Sequence, residues 1–97
     1  MKKEQLETIE WECKHGLYFI EYPHNVSYGV WKDAEGKHHF MSGMNLDHLK
    51  ACIRLVEKGA DYLAGSRREK AVIRALEPLV QDKLGELKEA FRKKAGI

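Results

Sequence analysis

The sequence predicts an α+β fold: a small antiparallel β-meander packed by one helix, followed by a long kinked C-terminal helical arm. Three observations predict it. Two runs rich in aromatic and β-branched residues, LYFIEY (17–22) and VSYGVW (26–31), flank a PHN turn. From Asn45 onward apolar residues recur every three or four positions, the rhythm of helices with one buried face. Pro78 falls inside the last of these runs, where its ring removes a donor and crowds the preceding turn.

The first sixteen residues read two ways. Leu6, Ile9 and Cys13 have helical spacing, and KHG (14–16) resembles a basic last turn with a glycine cap. Ile9, Trp11 and Cys13 also alternate, and the charge-alternated TIEWEC (8–13) favours an edge strand. Strands at 17–22 and 26–31 follow, the second with Val26, Tyr28 and Val30 on one face. KDAEGK (32–37) is a turn, with Gly36 supplying its permissive backbone, and KHHFM (37–41) completes the meander. Such a sheet needs a helix on one face.

That helix begins at Asn45, a good capping residue, with Asp47 in the first turn and Met44 and Leu49 as a hydrophobic staple. Leu46, Leu49, Ile53, Val56, Ala60 and Leu63 form its stripe, so it runs to about Ala64 unless Gly59 ends it early. SRRE (66–69) spells a capping box for the next helix, with Ser66 at the cap and Glu69 three residues on. Val72, Ile73, Leu76, Leu79, Val80, Leu84, Leu87 and Phe91 make up the apolar side of that arm.

Ninety-seven residues form one domain, with a sheet-rich half at 1–44 and a helical half at 45–97. The longest apolar run is the four residues Leu17 to Ile20, so no membrane span is expected. MKKEQLETIE carries lysines but no apolar stretch after them, and a cytoplasmic location is expected. Cys13 and Cys52 read as reduced, partly buried thiols, although spacing alone leaves a disulfide between them open. The net charge of +2 divides unevenly, −2 over residues 1–65 and +4 over 66–97. This is short of the concentrated positive field of an obligate nucleic-acid binder.

The stretch KHHFMSGMNLDHLKAC (37–52) holds three of the five histidines and one of the two cysteines. His48 and Cys52 are four apart on a helix, and His39 ends the preceding strand. With Cys13 or His15 they could complete a tetrahedral zinc set. The tight Cys-x-x-Cys pair of structural zinc sites is missing, so no metal or other cofactor is expected, and Cys52 reads as a small core residue. Nor does the chain carry a Gly-rich phosphate loop, a nucleophile elbow or an isolated carboxylate pair. An enzyme is therefore not expected. Arg67, Lys70 and Arg74, spaced three and four apart, would share one helix face on which a phosphate backbone could lie, extended by RKK (92–94). Val80, Leu84, Leu87 and Phe91 form a seam too large for so small a core. A second copy of the chain, packed across a two-fold axis, is the expected cover.

Residues 30–58, VWKDAEGKHHFMSGMNLDHLKACIRLVEK, resemble a pattern in small phage and mobile-element proteins. In that pattern a hairpin Trp and Gly precede Met-x-x-x-His-Leu and a helix. The matching positions are Trp31, Gly36, Met44, His48, Leu49, Ile53 and Leu55. The resemblance implies a bacterial cell and a phage or prophage gene. The matching residues also have structural roles, in which Trp31 covers the sheet, Gly36 makes the turn, Met44 staples the helix and His48 anchors its start. The resulting expectation is a non-catalytic protein-interaction module, homodimeric through the C-terminal helix, with a regulatory or inhibitory role toward an unknown bacterial or phage protein. A nucleic-acid-binding regulator using 67–74 is the alternative, and a small zinc- or thiol-dependent enzyme the third reading.

Overall fold

Three helices and one two-stranded sheet make up the computed structural model, which describes all 97 residues. The elements are α1 (Lys3–Lys14), β1 (Val30–Lys32), β2 (His38–Phe40), a single 3-10 turn at Met41–Gly43, α2 (Leu46–Ala64) and α3 (Lys70–Ala95). The α+β class and the long C-terminal helix stand as the sequence predicts; the meander does not.

Residues 8–13 are helical, not a strand. In α1 Ile9 and Glu12 are buried and Cys13 is half-buried, while Trp11, which strand alternation would place beside Ile9, is exposed. The Lys2 N–H donates to Gln5 Oε1 (2.9 Å) at the start of the helix, and the His15 N–H reaches back to the Trp11 carbonyl (3.1 Å) at its end.

The run at 17–22 is coil. Leu17, Phe19 and Ile20 are all fully buried, and adjacent residues such as Phe19 and Ile20 cannot both face inward from one side of a strand. This coil threads the middle of the core, where Phe19 stacks on Trp31 with ring centroids 5.5 Å apart. The run at 26–31 also fails as a strand until Val30. Gly29 has a φ of +77°, which turns the chain, so that Val26 and Trp31, which a continuous strand would put on opposite faces, are both buried. What remains is a hairpin with Val30 opposite Phe40, Trp31 opposite His39 and Lys32 opposite His38, closed by a turn in which Gly36 has a φ of +84°.

α2 starts as expected, with the His48 N–H donating to Asn45 Oδ1 at 2.8 Å, and Met44 and Leu49 both lie in the core. Its deepest residues are Leu49, Cys52, Val56, Gly59 and Leu63, so Cys52 and Gly59 take the central places expected of Ile53 and Ala60. Gly59 does not end the helix. A Cβ there would lie 3.0 Å from both Leu17 Cδ2 and Phe19 Cζ, so its missing side chain makes room for the central coil.

The Ser66 capping box does not form. α3 begins only at Lys70, Glu69 occupies the cap, and Ser66 Oγ is buried with no partner. Glu69 instead accepts from Gln5 Nε2 (2.7 Å), tying α1 to the start of α3. The helix runs unbroken past Pro78 to a left-handed Gly96 (φ +76°), and Arg92, Lys93 and Lys94 offset its dipole in the last turn.

The seam proposed for a second copy is covered by the chain itself. Val80 and Leu87 are fully buried, Leu84 is 8% exposed, and Phe91 packs against the same core, chiefly between α3 and α2. The reason for expecting a homodimer through this helix is thereby removed. The core had room because the coil at 17–20 and α1 close over it, in place of a broader sheet.

Candidate interaction site

The histidine-rich stretch does not gather a ligand set. His39 Nε2 lies 2.8 Å from Asp33 Oδ2. Asp33 also accepts from the Glu35 and Lys37 N–H groups, both at 2.9 Å, through Oδ1. The His39 hydrogen bond, then the backbone donors, hold its carboxyl below the usual aspartate range. The His39 and His48 rings meet edge to face, centroids 6.5 Å apart, while Cys52 is buried in the core. Nowhere do three His, Cys, Asp or Glu side chains converge as a metal would require. Cys13 and Cys52 are both free, and burial pushes each thiol up to about 11. Burial outweighs the downward pull of Lys32 on the Cys13 thiol, which Glu12, Glu21 and Glu10 also oppose, so neither thiol is activated.

The basic face is also dispersed. Arg67 and Arg68 precede α3 and so do not share a helical face with Lys70 and Arg74, which are exposed. Arg68 Nε is 3.0 Å from the fully buried Glu12 Oε2, which also accepts from the Tyr62 hydroxyl (2.8 Å). The Arg68 guanidinium lies 5.6 Å over the Trp11 ring, and Trp11 in turn stacks on His15. The shallow depression beside them is lined by Glu4 and Glu7, an unfavourable wall for phosphate.

The largest concavity lies elsewhere, between the hairpin and the last turns of α3. It encloses about 470 Å³, and Tyr28, Phe40, Met41, Glu86, Glu89 and Lys93 are among its lining residues. Tyr28 and Phe40, at its edge, are 70% and 75% exposed. The backbone on either side of Tyr28 is nevertheless pinned. Lys83, fully buried, directs its ammonium at the carbonyls of Val26 (3.1 Å), Ser27 (3.2 Å) and Val30 (3.1 Å) and at Glu86 Oε1 (2.8 Å). Three protons are thus distributed over four acceptors. Glu86 Oε1 also accepts from the Gly29 N–H at 2.9 Å. The Tyr28 hydroxyl donates to Glu89, which also pairs with Lys93 (3.3 Å). These donors lower the Glu89 pKa, and the same Tyr28 bond raises that of the phenol. On the far side, Lys94 Nζ donates to the Ser42 carbonyl (3.0 Å).

Sequence reasoning assigned none of Tyr28, Phe40, Lys83, Glu86 and Glu89 to a site. One signal was present: Lys83 stands three residues after Val80 and four before Leu87, at a core-facing position of the stripe. A lysine there must find buried acceptors, and irregular backbone supplies them. Compared with family models, curated proteins and solved structures, the chain matches none.

Proposed function

We propose that the protein is a non-catalytic protein-interaction module whose binding face is the groove between the hairpin and the last turns of α3. The observation that carries this reading is the exposure of Tyr28, on a backbone held by the buried Lys83–Glu86 pair, beside the exposed Phe40 of the paired strand. Aromatic anchors on a fixed backbone lose little entropy on docking, and they are enriched where proteins meet. The groove's carboxylates already have structural partners: Glu86 holds Gly29 and Lys83, and Glu89 holds Tyr28 and Lys93. They position the hairpin and are not poised to move protons. The resemblance of residues 30–58 to small phage and mobile-element proteins supports a regulatory or inhibitory role toward a bacterial or phage protein.

A photo-crosslinking amino acid placed at position 28 or 40, with position 74 as control, tests the reading in bacterial cells. The expected result is a discrete protein adduct from 28 and 40 that is absent from 74, and that disappears when the neighbouring aromatic is replaced by serine. Adducts to nucleic acid, or equal adducts from position 74, would overturn it.

A further inference from the structure

The hairpin has two outer edges, and the β1 edge is closed at Val30. Met41 N–H donates to the Gly29 carbonyl and Asp33 N–H to the Lys37 carbonyl. In an antiparallel ladder the bonded pairs fall on alternate residues, so Trp31 and His39 bond each other. The backbone groups of residues 30, 32, 38 and 40 then point away from the partner strand. On the β1 side the Val30 carbonyl takes Lys83 and the Val30 N–H takes the Ser27 carbonyl. On the β2 side the N–H and C=O of His38 and the N–H of Phe40 have no protein partner, while the Phe40 carbonyl opens the 3-10 turn at Met41–Gly43. All three β2 residues are exposed.

We propose that β2 is a docking edge that accepts an extended segment of a partner protein as a third strand, with acidic residues flanking an apolar one. This deepens the interaction-module reading and rests on it, because Phe40 belongs to both features: its backbone faces the open edge while its ring borders the groove. The free groups dictate the occupant's conformation, since only an extended backbone offers donors and acceptors at the spacing of residues 38 and 40. Charge dictates the flanks. Lys37 is 73% exposed with only a 4.0 Å approach to Glu35, Lys94 contacts a carbonyl and no carboxylate, and His38 lies between. The acids of the groove are already matched by Lys83, Lys93 and Tyr28, so the unmatched charge on this side is positive. The exposed Phe40 ring offers an apolar neighbour to a cross-strand side chain.

The edge can be closed without disturbing the hairpin. Phe40 has φ −73° and ψ 127°, which a proline adopts without strain, and its N–H takes no part in the β1–β2 ladder. Phe40→Ala removes the ring; Phe40→Pro removes the ring and the N–H. Short random peptides displayed on phage serve as the probe, and the best enriched peptide is then titrated against wild type and both variants. The expected peptide is acidic and reads as a strand. Phe40→Ala should weaken it several-fold and Phe40→Pro by a further factor of about ten, since an acceptor on the peptide is left unmatched. Hydrogen exchange should slow at the His38 and Phe40 amides when peptide is added. Equal binding by the two variants with unprotected amides would overturn strand addition while leaving the groove reading intact. No enrichment of any peptide would overturn strand addition, and the crosslinks from position 28 would still judge the groove. Protection of the same amides by self-association alone would also overturn it, naming a second copy as the occupant.

Discussion

Lys83 and Glu86 lie three residues apart on α3, their Nζ and Oε1 2.8 Å from each other, and together they hold both ends of the 26–30 turn. A methionine at position 83 fills similar volume but leaves the Val26 and Val30 carbonyls without a donor and removes the ammonium paired with Glu86. Removing one partner of a buried pair costs about 3–5 kcal/mol, and Lys83→Met is expected to fall in that range by urea denaturation. A loss under about 1 kcal/mol would mean that water satisfies the turn equally well.

Two glycines on long helices should respond in opposite directions. Alanine at Gly85 meets nothing within 4 Å and gains helix propensity, so Gly85→Ala should stabilise by about 0.5–1 kcal/mol. At Gly59 the new methyl would press on Leu17 and Phe19, both fully buried and unable to yield. Overpacking of about 1–3 kcal/mol then outweighs the same propensity gain. Thermal melts of the two variants on either side of wild type are the expected result.

The helix starts supply a second contrast. Asn45→Ala removes a formed cap and should cost about 1 kcal/mol. Ser66→Ala removes a buried hydroxyl that bonds nothing, and should be neutral or stabilising. A larger loss at Ser66 than at Asn45 in chemical denaturation would reverse this assignment.

Alkaline pH should loosen the core through its thiols. Burial raises Cys13 and Cys52 from the ordinary 9.0 to about 11, so the folded state favours the protonated form. Their contribution to stability is complete below pH 9.0 and is lost as pH rises through about 11. Cys13→Ser with Cys52→Ala should flatten that part of the stability profile. Alkylation of native protein by iodoacetamide at neutral pH should be slow, and it should accelerate on denaturation.

What the sequence disclosed and what it hid divide along physical lines. Helices α2 and α3 were readable because their packing repeats every turn, and the hairpin turn because Gly36 marks it. The coil at 17–20 was not. Its composition favours a strand, but with Leu17, Phe19 and Ile20 all inward it is held by tertiary packing against Gly59 and Trp31. α1 was readable as one of two periods, decided by the burial of Glu12 through its partners Tyr62 and Arg68, which lie 50 and 56 positions further along the chain. The seam at Val80, Leu84 and Leu87 was correctly apolar but assigned the wrong cover, since the chain's own packing could not be counted beforehand. The groove was hidden because Tyr28, Phe40, Glu86 and Glu89 converge only once the hairpin folds back on α3.

The two indoles give the protein a pair of independent optical reporters. Trp31, 3% exposed and stacked on Phe19, sits in an apolar enclosure between the hairpin and the core coil. Trp11, 48% exposed, lies on α1 against His15 and under the Arg68 guanidinium. An aqueous collisional quencher should therefore extinguish Trp11 emission and spare Trp31, leaving a blue-shifted residual signal. Through that residual emission, each hairpin variant can be checked for an intact interior in the same cuvette in which its binding is titrated.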